Sequence, residues 1–116
     1  DALPIYDAFK QAYVQATPED VVIIKSPVGM PGRALGNAFL AEAKAGNRQP
    51  DWCRVNCLKP CNPSEAPYCI ADALVNAAAG QFQDGFAFCG AEVHRIECIT
   101  TVPELMQELM SELEEQ

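Results

Sequence analysis

The sequence predicts a mainly helical chain with one short strand and a Cys/Pro-rich loop. Three observations carry that expectation. Apolar residues recur at helical spacing in four separate stretches, whereas a β-branched run occurs once, at Val21-Val22-Ile23-Ile24. Between the helical stretches, Pro50, Pro60, Pro63 and Pro67 interrupt residues 47–68, where continuous helix is excluded.

The elements follow in order. Ile5, Phe9, Ala12, Tyr13 and Ala16 predict a first helix, with Pro4 or Asp7 suited to its start and Thr17-Pro18 closing it. The β-branched run reads as a buried strand, and Ser26 to Gly32 as a turn-rich loop. Leu35, Phe39 and Ala43 place a helix over Arg33 to Ala45, with Gly46 as its stop. After the proline-rich loop, Ile70 to Ala79 predicts an alanine-rich helix ending at Gly80. Residues 84–99 read as extended or looped. Thr101-Val102-Pro103-Glu104 has capping-box spacing, and Val102, Leu105, Met106, Leu109, Met110 and Leu113 form one apolar face of a terminal helix. Such a face is expected to dock on something.

Composition narrows the function classes. The 116 residues suit one modest domain, and much of the 49% hydrophobic share is alanine, which limits a self-contained core. The net charge of −8 argues against nucleic acid, because phosphate binding needs a basic surface. No window approaches the ~20 apolar residues of a membrane span, and no charged start precedes an apolar run. A soluble, cytoplasmic protein is expected. Glu97, Glu104, Glu108, Glu112, Glu114 and Glu115 follow Arg95 with no further Lys or Arg, and read as a solvated helix face. The first residue is Asp1, which is expected to mark a truncated reading frame.

Six cysteines without an export signal suggest reduced thiols. Four of them, Cys53-x3-Cys57-x3-Cys61-x7-Cys69, fall in the proline-rich loop. Thiolates are soft ligands suited to zinc or an iron–sulfur cluster, and four can close a tetrahedral site. The spacing does not repeat a CxxC pair, so metal, unliganded thiols and disulfides all stay open. Cys89 and Cys98 lie apart and read as small buried apolar residues. Ser26 to Arg33 offers amides, glycines and an arginine to an anion, but lacks full phosphate-loop spacing; a tight turn with a surface arginine is the plainer reading. His94 reads as a satisfied surface or interface histidine.

One strand cannot satisfy its backbone alone, which places its missing partners in a preceding domain. A resemblance agrees. Val22-Ile23-Ile24-Lys25-Ser26-Pro27-Val28-Gly29-Met30-Pro31-Gly32-Arg33-Ala34, Asn56-Cys57-Leu58-Lys59-Pro60-Cys61, Pro67-Tyr68-Cys69-Ile70-Ala71-Asp72-Ala73-Leu74 and Gly85-Phe86-Ala87-Phe88-Cys89-Gly90 resemble the C-terminal third of nitronate monooxygenase (2-nitropropane dioxygenase-like) proteins. The likeness runs from about Asp7 to the last helix.

That resemblance implies an α/β parent, an FMN-dependent TIM-barrel flavoprotein oxidising alkyl nitronates with oxygen. Residues 1–18 would be its last outer barrel helix and 19–116 a C-terminal cap, whose partner is the upstream barrel. FMN would lie at the C-terminal face of the barrel. The family's catalytic histidine would lie upstream, so no catalytic residue is assigned here and the chain alone is expected to be inactive. Cys89, Gly90 and Ala91 match the stretch that approaches the flavin, where a glycine permits close backbone contact; a loop merely packed on the barrel is the alternative. Two other functions are weighed beside this one: a small four-cysteine metal-binding module, and an acidic helical interaction module.

Overall fold

A computed structural model describes residues 5–116; Pro4, one of the two residues suited to the first helix start, lies outside the described residues. The described elements are helix α1 (Asp7–Val14), strands β1 (Val21–Lys25) and β2 (Pro31–Leu35), and helices α2 (Ala38–Lys44), α3 (Ile70–Ala78) and α4 (Val102–Glu114). Short 3-10 turns occupy Pro18–Asp20 and Val93–Arg95. Residues 47–68 form no regular element, as the prolines require.

The single expected strand is corrected to a pair. β1 and β2 form an antiparallel hairpin in which Val21 faces Leu35 and Lys25 faces Pro31. The strand therefore finds a partner inside the chain, which overturns the inference that its pairing had to come from elsewhere. The hairpin turn closes with the Gly29 N–H donating to the Ser26 carbonyl at 3.1 Å, and Gly29 takes a φ of +88°, which a side chain rarely adopts. This turn fits the plainer reading of Ser26 to Arg33, and Arg33 is exposed on β2.

The helix expected over Arg33 to Ala45 is likewise corrected. Its first three residues are strand, and α2 begins only after Gly36 and Asn37. Asn37 is the N-cap: its side-chain oxygen accepts from the Leu40 N–H at 3.0 Å. Leu35, Phe39 and Ala43 are all buried, although they belong to two elements. Their spacing of four mimics one helix face, yet Leu35 packs in one apolar cluster and Phe39 and Ala43 in another.

A third extended segment joins the sheet. The Leu35 N–H donates to the Ala87 carbonyl and the Cys89 N–H to the Arg33 carbonyl, both at 3.0 Å, around an antiparallel bridge between Ala34 and Phe88. Because strand side chains alternate, this small sheet separates two apolar clusters. On one side, Ala34 and Phe86 pack with Phe39, Leu40 and Ala43 of α2, Ile70 and Ala73 of α3, and Tyr68. On the other, Leu35, Ala87 and Val93 meet Phe9, Ala12 and Tyr13 of α1, and Phe82. The result is helix, sheet, helix in three layers.

Polar contacts fix the 82–85 turn that feeds the third segment. The Asn37 side-chain amide donates to the carbonyls of Phe82 (3.2 Å) and Gly85 (2.8 Å), and Asn76 donates to that of Asp84 (3.1 Å). Arg48 bridges Asp84 at 2.8 Å and Glu42 at 2.5 Å and lies over the Phe39 ring.

α4 departs from expectation. Its capping box forms, with the Thr101 N–H donating to the Glu104 carboxylate at 2.9 Å, and its glutamates are solvated. Yet it buries none of its residues, and Leu105, Met106, Leu109, Met110 and Leu113 stand between 41% and 66% exposed. The docking expected of this apolar face does not occur within the described residues. The helix projects, giving extents of 51 × 26 × 25 Å and a radius of gyration of 16.2 Å, against about 13 Å for a compact domain of ~100 residues. No helix among the described residues is long and apolar enough to cross a membrane.

Candidate functional site

Two places bring chemistry-bearing residues together. The first is a cleft of about 390 Å³ lined by Cys53, Cys57, Cys61 and Cys69 together with Trp52, Arg54 and the start of α3. Cys53 and Cys57 are exposed, Cys61 and Cys69 half-buried, and all four are free thiols. The loop thus folds four cysteines, spread over residues 53–69, toward one cleft. Burial pushes the Cys61 thiol above its usual pKa, and the nearby Cys53, Cys57 and Cys69 add to that rise.

Local backbone explains the convergence. Asn56 adopts a φ of +48°, a left-handed conformation that asparagine tolerates better than most residues. Beside it, the Asn56 N–H donates to the Cys53 sulfur at 3.3 Å. A turn follows, with the Cys61 N–H donating to the Leu58 carbonyl at 3.3 Å. Cys69 is the N-cap of α3, and its side chain makes no capping bond. As they stand, no three His, Cys, Asp or Glu side chains among the described residues are arranged to hold a metal ion. Asn56 carries no motif, and only its tolerance of left-handed backbone in a loop pointed to it.

The second place is the loop at Cys89, Gly90 and Ala91. Cys89 is half-buried and Gly90 and Ala91 are exposed. Burial raises the Cys89 thiol pKa and Arg33 partly offsets it; burial and Cys89 likewise raise Tyr13, whose hydroxyl donates to the Phe88 carbonyl at 2.7 Å. A Cβ built on Gly90 meets nothing within 4 Å, so packing inside the described chain does not demand glycine there. The expectation that Cys98 is a buried apolar residue is corrected: it is exposed, and Cys89 is only half-buried. Cys98 lies at a bend beyond the 93–95 turn.

His94 sits in the 3-10 turn, with Nε2 3.8 Å from the Glu92 carboxylate and Nδ1 buried without a partner among the described residues. The expectation of a satisfied histidine is thus corrected for Nδ1. A groove of about 420 Å³ between β1 and α2 is lined by Val22, Ile24, Leu40 and Tyr68 and holds no acid–base pair. No family model and no curated protein matches the chain.

Proposed function

We propose that this chain is the C-terminal portion of an FMN-dependent oxidoreductase resembling nitronate monooxygenase, acting on alkyl nitronates with oxygen. The observation that carries the reading is the convergence of the stretches bearing the resemblance. Val22, Ile24 and Ala34 of the hairpin, Leu58 of the cysteine loop, Tyr68, Ile70 and Ala73 around the start of α3, and Phe86 all meet in one apolar cluster. Four stretches distant in sequence therefore act as one packing unit, as a shared family core requires.

In this reading FMN supplies the redox chemistry and is held mainly by an upstream barrel. Cys89, Gly90 and Ala91 of this chain would approach the flavin. The exposed position of Gly90 and the open space around it leave its backbone approachable from outside. The exposed apolar face of α4 and the edge of β1, where Ile23 is 63% exposed, suit packing against that barrel.

The test joins the chain to the barrel domain and purifies the whole protein. FMN should co-purify, bleach anaerobically with an alkyl nitronate and recolour with oxygen, while the 116-residue chain alone should retain no flavin. A whole protein without FMN, or with FMN that a nitronate leaves oxidised, would sink the reading.

A further inference from the structure

We infer that Cys53, Cys57, Cys61 and Cys69 form a tetrathiolate site for a soft metal centre, either zinc or an iron–sulfur cluster. The inference stands apart from the flavin reading and holds whether or not FMN binds.

Four observations converge on it. All four thiols line the same cleft and none is tied up in a disulfide. Four cysteines offered to one cleft supply the ligand set of tetrahedral zinc or a cubane cluster. Secondly, the Asn56 N–H donates to the Cys53 sulfur at 3.3 Å. Hydrogen bonds to sulfur stabilise its negative charge and tune thiolate centres, and this one is already in place.

Thirdly, Cys69 stands as N-cap of α3 with its side chain uncommitted, so its sulfur lies at the positive end of a helix dipole. A four-thiolate zinc centre carries net negative charge, and Arg54, which also lines the cleft, offsets it further. Fourthly, residues 50–65 contain no regular element and no buried residue. Fixing that much backbone costs conformational entropy that its own side chains do little to offset, and a metal staple supplies the missing term.

The sulfurs as they stand do not close a coordination sphere. The exposed Cys53 and Cys57 must therefore turn in toward Cys61 and Cys69 as the metal binds, coupling binding to ordering of the loop.

The test uses the full chain, purified and reduced under anaerobic conditions. Zinc(II), cobalt(II), and ferrous iron with sulfide are offered separately, with metal content and absorption as readouts. The expected result is one zinc per chain, or a sulfide-dependent iron chromophore, and a strong sulfur-to-cobalt charge-transfer band. Cys57→Ser and Cys61→Ser should each weaken binding by at least about tenfold, while Cys98→Ser leaves it unchanged. Because a loop variant can lose its fold, the cobalt spectrum of the unaltered chain reports thiolate ligation without mutation. Failure to bind any of the three, a cobalt spectrum lacking the thiolate band, or equal loss in Cys98→Ser would overturn the site. So would a disulfide joining two of the four cysteines in the anaerobically purified protein.

Discussion

Gly85 and Gly90 lie five residues apart and answer to different constraints. A Cβ at Gly85 would run into the Ala73 carbonyl oxygen and come within 2.8 Å of the Ala77 nitrogen, both backbone atoms of α3 that have nowhere to go. Gly85→Ala is therefore expected to cost about 1–3 kcal/mol through overpacking, whereas Gly90→Ala should change stability by less than about 0.5 kcal/mol. Urea titrations of the two variants check this, and similar midpoints would contradict it. Tyr68 offers the opposite case. Among the described residues its buried hydroxyl finds no hydrogen bond of normal geometry, and burial raises its pKa although the nearby Ser26 hydroxyl offsets part of the rise. Removing an unsatisfied buried hydroxyl relieves a desolvation penalty, so Tyr68→Phe should be neutral or stabilising by up to about 1 kcal/mol. A clear loss of stability in the same titration would show that the hydroxyl has a partner in solution.

At the scale of the element, α4 is the most legible and the most isolated. Its start rests on Glu104, whose carboxylate accepts from the Thr101 N–H and from the hydroxyls of Thr100 and Thr101. The Thr101 N–H leads these bonds in holding the Glu104 pKa below its usual value. A depressed carboxyl pKa contributes stability that is present above the unfolded value and lost as pH falls through the folded one. The first turn of α4 should therefore stay protected at neutral pH and begin to fray below about pH 4. Amide exchange at Glu104 and Leu105 reads this directly. Glu104→Ala should leave those amides poorly protected at every pH, and an unchanged acid profile in that variant would remove Glu104 as the cause.

For the molecule as a whole, the three-layer body and the projecting helix predict two separate responses. Leu109 is half exposed and touches no core, so Leu109→Asp in the chain alone should alter global stability by no more than about 0.5 kcal/mol. Joined to the proposed barrel, the same charge enters an apolar contact and should release α4 to proteolysis. Differential scanning calorimetry of the chain and limited proteolysis of the whole protein give the two readouts. A large destabilisation of the chain alone would mean that α4 folds back onto the body in solution. Failure of the joined protein to protect α4 would favour a different partner for that face, as in an acidic helical interaction module.

The sequence by itself determined the places where local rules act without competition. The α4 capping box, the end of α3 near Gly80 and the irregular proline-rich loop all depend on neighbouring residues, and all could be read from their order. So could the cysteine spacing that makes a metal site worth testing. Tertiary structure alone decided the identity of Arg33, Ala34 and Leu35. Their spacing to Phe39 and Ala43 fits a helix, but pairing with β1 on one side and with residues 87–89 on the other draws them into strand. Only long-range hydrogen bonding settles that contest, because burial rewards an apolar side chain without regard to the backbone that presents it. The same holds for the cysteine cleft, where four cysteines that spacing left unassigned line one cleft, with Cys69 placed at the N-cap of α3.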